Sequence, residues 1–333
     1  MIRRPVIKFC LEQGIKFLLP LLAFGPGIWS IGVVYYNLSR RSAGWTWLYT
    51  LLVGLLLVMT YFSRQSLLLL YLLQLLLLLY FLQLEAVTTF CKTKWQTPWQ
   101  RMPKVKISNG SCNIINIRDF NYRSVTDYDV RYCEMTVDPA RIDSVDLAIS
   151  YWDGMRSVAH TMLAFNFADG KHLVVSMETR LPQNIRQGFL PGLYKQYGLI
   201  MVLGTEEDIF KLRTDFRKEE LFLYRTNATP EQAEKLFRKL LCDLTEMQRT
   251  PRYYNSIFSN CTTSLVPLLR EIDPAIRNDL RMLFNGYSDE LLFELGFLRC
   301  RQGETFEQLK RRRKVAQYLT NYDNYSAAIR TDI

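Results

Sequence analysis

The 333 residues of the chain are enough for one or two domains, and the apolar residues are concentrated in the first hundred positions. A net charge of +10 lies mostly beside these apolar segments and in the late run Lys310–Lys314, where it favours solvent or anionic head groups. No nucleic-acid-binding motif accompanies the charge, so we expect no nucleic-acid partner. Seven cysteines and two histidines show no metal-ligand spacing, so the sequence predicts neither a metal site nor a cofactor.

Three N-terminal segments are candidate membrane spans, at 17–36, 45–62 and 67–84. The second and third approach the roughly 20 apolar residues that cross a bilayer, and they carry aromatic residues near their ends. The first is a weaker candidate because it contains a Gly25-Pro26-Gly27 run. A buried hairpin in a soluble protein is the alternative. We predict a membrane domain over 1–90, a connector over 91–104, a folded domain over 105–320 and a frayed tail over 321–333.

Topology depends on the first segment. Three spans with the basic N-terminus inside would place the C-terminal domain outside the cytoplasm, and two spans would leave it inside. Arg40 and Arg41, between the first two segments, argue mildly against three spans. Cys112 and Cys133 are candidates for a disulfide if the domain is extracytoplasmic.

The folded domain is predicted to be α+β. Alternating apolar residues predict strands, and a Thr229-Pro230 start predicts a helix that ends near Met247. The predicted strands are 111–117, 130–137, 142–152, 199–204 and 221–226, and a further helix is predicted over 206–216.

The clearest unit is a hairpin over 158–177. Asp169-Gly170 between two alternating runs is a strong turn signal. A loop of 168–170 collects the apolar residues on one face, opposes Met162 to Ser176, and places His160 across from Glu178. His172, beside the turn, is expected to be exposed.

Cys261 is the candidate nucleophile. Ser259 and Asn260 precede it as capping residues and an apolar-periodic run follows, which predicts a helix with the thiol in its first turn. A helix N-terminus and a nearby imidazole both favour the thiolate. The structural alternative is a small buried cysteine before a helix.

A thiol at a helix start, a histidine on a strand and a third polar residue form a papain-like arrangement. His160 would hold the thiol proton, and Glu178 or Ser176 would orient its ring. The backbone N–H of Cys261 would contribute to an oxyanion hole, with Tyr254 or Asn260 as a side-chain donor.

Three stretches carry a family resemblance: AHTMLAFNFADGKHLVVSMETR (159–180), LIMVLGTEEDIFKLRTDFRKEELFLYRTNATPEQAEKLF (199–237) and YYNSIFSNCTTSLV (253–266). Together they resemble the bacterial family of the Lnb N-terminal periplasmic domain, over roughly 105–300. The order of histidine strand and Asn-Cys helix also resembles circularly permuted papain-like enzymes of the NlpC/P60 and lecithin–retinol acyltransferase type. In the Lnb acyltransferase the membrane region follows this domain, whereas the apolar segments here precede it.

The resemblance implies a multi-pass inner-membrane protein with a periplasmic thiol-enzyme domain, in which Cys261 and His160 are the catalytic pair. The leading hypothesis is acyl transfer from a phospholipid to a lipoprotein amine or similar acceptor. The alternatives are a cell-wall peptidase or amidase acting on peptidoglycan, and a non-enzymatic membrane-anchored binding module.

Overall fold

A computed structural model of the chain describes residues 22, 24–38, 43–59, 64–84, 90, 93–152, 154, 156–272, 279, 281, 285–319 and 322–331. The chain divides into two compact units. The N-terminal unit comprises Met1–Cys91 and Gly188–Gln196, and the sheet unit comprises Lys92–Gln187 and Tyr197–Ile333. Most of the predicted connector therefore lies in the sheet unit, where Trp95 pairs with Pro182. The predicted boundary at residue 105 stays a prediction.

The N-terminal unit is helical in its described part. It contains α1 (24–33) with a π-helical turn at Val34–Leu38, α2 (Ala43–Met59), α3 (Arg64–Gln83) and the short α4 (Phe189–Leu193). Among the described residues, Ser66–Gln83 is long and apolar enough to cross a membrane, whereas Gly44–Met59 is apolar but shorter. Residues 17–21, 23 and 60–62 of the predicted spans lie outside the described residues. The prediction of three spans is therefore not confirmed.

The sheet unit is a mixed α+β structure built on one large sheet. The strands are β1 (Lys104–Ser108), β2 (Ser111–Arg118), β5 (Tyr132–Val137), β6 (Ile142–Tyr151), β7 (Ala159–Phe167), β8 (His172–Arg180), β9 (Gly198–Gly204) and β10 (Glu220–Arg225). Their order is β1-β2-β9-β8-β7-β6-β10, with β5 paired to β2. Within the described part of the chain, the pairs in this sheet are antiparallel except a parallel pair between Arg118 of β2 and Gly204 of β9. A separate ribbon joins β3 (Asn121–Tyr122) to β4 (Tyr128–Asp129).

Each face of the sheet is covered by helices. The long helix α6 (Pro230–Arg249) covers one face, here called the α6 face, through residues such as Leu163 and Val175. The helix α5 (Glu206–Lys211) covers the other, here called the α5 face, which includes Met162 and Val174. The remaining described helices are α7 (Val266–Ile272), α8 (Ser288–Glu294), α9 (Phe306–Arg312) and α10 (Tyr325–Ala328).

The predicted hairpin register is confirmed over most of its length. β7 pairs with β8 through Met162–Ser176, Leu163–Val175 and Phe165–Leu173. The loop closes with Phe167 N donating to Lys171 O at 2.9 Å. The predicted start of α6 is also confirmed, because Thr229 caps the helix and Pro230 is its first residue. The local turn and helix-cap residues were therefore sufficient to predict both the hairpin register and the start of α6.

Three other predictions need correction. The helix expected over 206–216 is α-helical only to Lys211, and Leu212–Phe216 form a π-helical turn. The described part of the tail that was expected to fray, residues 322–331, is packed, since Tyr325 is buried in the core of the α5 face. Cys112 and Cys133 are both free, because they lie at opposite ends of the β2–β5 ladder, opposite Val137 and Ile117.

Candidate functional site

The strands β7 and β8 separate at the end that carries His160. Their pairing ends at Met162–Ser176, whereas β8 stays paired with β9 as far as Arg180. The predicted direct pair between His160 and Glu178 is therefore wrong. Here, the backbone of Ala159 is bound by groups from elsewhere in the chain. The result is a split in the sheet between the two strands.

Cys261 and Asn285 occupy the position that a longer β8 ladder would fill. Ala159 N donates to Asn285 Oδ1 at 2.9 Å, and Cys261 Sγ lies 3.8 Å from Ala159 O. In an antiparallel ladder these two groups of one residue bond to the same neighbouring strand. Asn285 Nδ2 also donates to Cys261 Sγ at 3.2 Å. The thiol is thus buried against the strand edge and in contact with an amide donor.

The turn that carries Cys261 differs from the predicted helix start. Asn260 Oδ1 accepts hydrogen bonds from Thr262 N and Thr263 N, each at 3.0 Å. Such side-chain bonds compete with regular helix formation, and α7 begins only at Val266. The thiol therefore lies in a capped turn before the helix, not in its first turn.

The two predicted oxyanion donors differ in their surroundings. The other end of the Asn260 amide donates to Ser256 O at 3.4 Å, so the whole side chain is used within the turn. Tyr254 lies close enough to Cys261 to interact electrostatically and is hydrogen-bonded to Thr179. Burial, with a smaller contribution from Cys261, raises the pKa of Tyr254. Among the described residues, the backbone N–H of Cys261 has no hydrogen-bond acceptor.

His160 is held by both of the predicted third residues, arranged in series. Its Nε2 lies 2.7 Å from Ser176 Oγ, and Ser176 Oγ is 3.0 Å from Glu178 Oε1. Since an ionised carboxylate only accepts, Ser176 donates to Glu178 and its oxygen accepts from Nε2–H. The neutral ring therefore keeps its lone pair on Nδ1.

A buried charge network surrounds this chain of hydrogen bonds. Glu178 accepts from Trp99 Nε1 at 2.5 Å and from Arg213 Nη2 at 3.3 Å, and Arg118 Nη1 lies 3.7 Å away. Burial alone would raise the pKa of Glu178, but the two arginines outweigh it and hold the pKa well below its usual range. Burial, followed by Arg213, lowers the pKa of His160 to about 3. The imidazole is therefore neutral and the carboxylate ionised at neutral pH.

Nucleophile and histidine approach the split from opposite faces of the sheet. Side-chain alternation places His160 on the α5 face with Met162, whereas Thr161 on the α6 face bonds Thr262 Oγ1 at 2.9 Å. Among the described residues, the hydrogen-bond partners of Cys261 Sγ are Asn285, Ala159 and Thr262, and His160 is not one of them.

The second histidine is excluded from this site by its position. His172 lies at the other end of the hairpin, half-buried rather than exposed, with Nδ1 2.7 Å from Asn166 Oδ1. His160 is thus the histidine whose strand borders Cys261.

A comparison with known protein families found a match over the region that contains the candidate site. The family described as the Lnb N-terminal periplasmic domain matches residues 128–289. The match confirms, over these residues, the family resemblance seen in the sequence. All six predicted site residues lie within the Lnb-type domain, as does Asn285, whereas Trp99 and Arg118 precede it. No curated protein and no solved structure matched the chain.

Four site residues escaped the sequence analysis: Trp99, Arg118, Arg213 and Asn285. The first three contact Glu178 but lie 79, 60 and 35 residues from it in the sequence, too far apart for a local sequence pattern to reveal the contact. Asn285 begins an Asn-Gly pair, which signals a turn but no chemistry.

Proposed function

We propose that the protein is a membrane-anchored periplasmic acyltransferase with a papain-like site, in which Cys261 carries the acyl group as a thioester. The observation that supports this most is the arrangement at the split strand. A buried thiol contacts the backbone of Ala159, and the next residue is a histidine oriented by Ser176 and Glu178. The Lnb-type domain supports a periplasmic location. Membrane attachment would come from the apolar α3 and the preceding helices.

His160 acts as the base in this proposal. Its Nδ1 lone pair is available because Nε2–H is held by Ser176. Nδ1 must approach Sγ to hydrogen-bond distance when substrate binds, and catalytic hydrogen bonds are often longer without substrate. The ionised Glu178 then stabilises the imidazolium through the Ser176 hydroxyl.

Acyl transfer proceeds in two half-reactions. The thiol proton moves to Nδ1, and Sγ attacks the ester carbonyl of a phospholipid. The C–O bond breaks, and the imidazolium protonates the departing lysophospholipid oxygen. An amine then attacks the thioester, and its proton passes to His160. The C–S bond breaks, and the imidazolium returns this proton to the departing sulfur, which regenerates the thiol and the neutral imidazole. The backbone N–H of Cys261 and the hydroxyl of Tyr254 are the donors proposed for the two oxyanions.

A lipid substrate is favoured by the loop that precedes the nucleophile. Phe258, three residues before Cys261, has 80% of its surface exposed. Its position is defined by Asn255 Oδ1, which accepts from Ile257 N and Phe258 N, and by the backbone pair between Asn255 and Ser259. An exposed aromatic side chain on a loop whose backbone is held three residues before the thiol suits contact with an acyl chain or bilayer surface.

Mass spectrometry of the full-length protein after incubation with phospholipid vesicles tests this function. We expect a mass increase of one acyl chain on the peptide that contains Cys261 and none in a Cys261→Ala variant. The Cys242→Ala variant is the matched control, because Cys242 is a free, exposed cysteine on α6. Discharge to a lipopeptide amine supports transfer, and discharge only to water as free fatty acid indicates a hydrolase. Absence of any adduct in a folded protein overturns the proposal.

A further inference from the structure

Asn285 bridges the strand edge and the candidate nucleophile. Ala159 N–H can only donate, so it must face Oδ1 of the Asn285 amide, at 2.9 Å. The other end, Nδ2, then faces Cys261 Sγ at 3.2 Å. The orientation of the amide is therefore determined by the backbone, and its N–H points to the sulfur.

The segment that carries Asn285 is tightly anchored. Gly286 N donates to Ser157 O, and a Cβ on Gly286 would lie 2.0 Å from Arg156 O, so only glycine fits there. Ser288 Oγ donates to Asn285 O at 2.6 Å. These contacts restrict movement of the Asn285 amide away from Cys261 Sγ.

A buried hydrogen-bonded cluster around Asp289 also holds the segment that carries Asn285. Asp289 Oδ2 accepts from Tyr224 and Lys310, each at 2.9 Å. The hydroxyl of Tyr151 lies 2.9 Å from Asp289 Oδ2 and 2.8 Å from Gly286 O, and its one proton is shared between these two acceptors. An amide held this firmly is suited to bind a charge that forms beside it, because no reorganisation is needed at that moment.

We propose that Asn285 is a catalytic residue whose Nδ2–H stabilises the Cys261 thiolate and fixes the direction of attack. The proposal rests on the acyl-transfer function above and adds a residue to it. When the thiol proton passes to His160, the negative charge stays on Sγ and the Asn285 hydrogen bond becomes charge-assisted. When Sγ bonds to the acyl carbon the charge leaves the sulfur, so this bond favours the thiolate over the thioester and the thiol.

The pH dependence of Cys261 alkylation by iodoacetamide tests this role in the full-length protein, with the Cys261 peptide quantified by mass spectrometry. Asn285→Asp keeps the acceptor for Ala159 N–H but removes the donor to Sγ. We expect the pH of half-maximal alkylation to rise by about one to two units, the size of a hydrogen bond to a charged group. The rate of acyl-adduct formation should fall about 10- to 100-fold for the same reason. Tyr254, a titratable group that interacts with Cys261, has a raised pKa and stays protonated in this range.

Two further variants complete the test. Asn285→Ala removes the donor without adding a charge, and we expect a smaller upward shift in the same direction. Asn227→Asp is the matched control, since Asn227 Nδ2 donates to the carbonyls of Gly296 and Leu298 on another loop, and its alkylation curve should equal that of the wild type. Thermal melting identifies the variants that keep the native fold.

The outcomes separate this proposal from the proposed function. A wild-type alkylation curve in either folded Asn285 variant overturns the role of Asn285, even if the wild-type protein forms an acyl adduct. Shifted curves in a protein that forms no adduct with phospholipid support the thiolate contact and overturn acyl transfer. Shifted curves together with slower adduct formation support both.

Discussion

At the split end of β7, the groups that surround His160 and the groups that contact Cys261 differ in charge. On the α5 face, His160 and Ser176 are backed by the ionised Glu178 and the buried Arg118 and Arg213. On the α6 face, Cys261 is contacted by neutral groups, the Asn285 amide and the Thr262 hydroxyl. Full charges therefore lie behind the histidine, and neutral donors surround the thiol.

This difference separates two tasks. A buried carboxylate between two arginines stays ionised, and through Ser176 it favours the imidazolium that forms during catalysis. The resting imidazole is nevertheless neutral, because burial and Arg213 lower the pKa of His160 to about 3. A neutral ring is the form that can accept a thiol proton. The charged groups behind His160 thus set the state of the base, whereas the neutral groups that contact Cys261 leave the charge on sulfur to be stabilised by hydrogen bonds.

Removing the base should have the largest effect on activity. His160→Gln retains a side-chain donor for Ser176 but no basic nitrogen, so adduct formation should fall about 10²- to 10⁴-fold. The measurement is the initial rate of acylation of Cys261. His172→Gln is the matched control, because it removes the other histidine, whose partner is Asn166. An equal loss in both variants would contradict the assignment of His160 as base.

Removing the carboxylate should have the largest effect on stability. Glu178→Ala leaves Arg118 and Arg213 partly unpaired in a buried site, so the free energy of unfolding should fall by about 3–5 kcal/mol. Urea unfolding of the full-length protein measures it. Glu134→Ala, at an exposed carboxylate that accepts from Asn113, is expected to change stability by less than about 0.5 kcal/mol. Similar losses of unfolding free energy in the two variants would show that Glu178, Arg118 and Arg213 do not form a coupled network.

The sequence predicted those parts of the site that depend on local pattern. Strand alternation and the Asp169-Gly170 turn were sufficient for the hairpin register. Because residues two apart on a strand share a face, the same pattern placed Ser176 and Glu178 with His160. It could not choose between the two residues, since the structure uses both in series.

The remaining site contacts depend on tertiary structure. Asn285 reaches Cys261 from 24 residues further along the chain, and Trp99 reaches Glu178 from 79 residues before it. The helix start was misplaced for a local reason, because the Asn260 side chain binds the backbone N–H groups that a helix would leave free. Beyond the ladder end at Met162, Asn285 binds Ala159 in place of β8.

The link between the histidine and the carboxylate can be tested on its own. Ser176→Ala removes the hydroxyl between His160 and Glu178, and we expect acylation to slow about 10-fold, the value of one buried hydrogen bond. Ser150→Ala is a matched control, because Ser150 is buried on the same face and donates to the carboxylate of Glu219. If both variants lose activity equally, packing of the α5 face and not the hydroxyl link is responsible.

A separate effect on stability is the pH dependence that the neutral His160 causes. Its pKa is about 3 in the folded protein, against an ordinary value of 6.5 in the unfolded chain. Between these values the unfolded state binds more protons, so stability is lost as the pH falls below 6.5, at up to about 1.4 kcal/mol per pH unit. The lowered pKa of Glu178 acts in the same direction, but only below its unfolded value of 4.5. The interval from pH 6.5 to 5 therefore isolates the histidines.

Urea unfolding of His160→Gln across that interval should show a flatter pH profile than the wild type. Burial also lowers the pKa of His172, so His172→Gln measures the share of the second histidine. If the free energy of unfolding of His160→Gln changes with pH as steeply as that of the wild type, the imidazole of His160 is not held neutral in the folded protein. In that case His160 would already be protonated at mildly acid pH and could not accept the proton of Cys261 there.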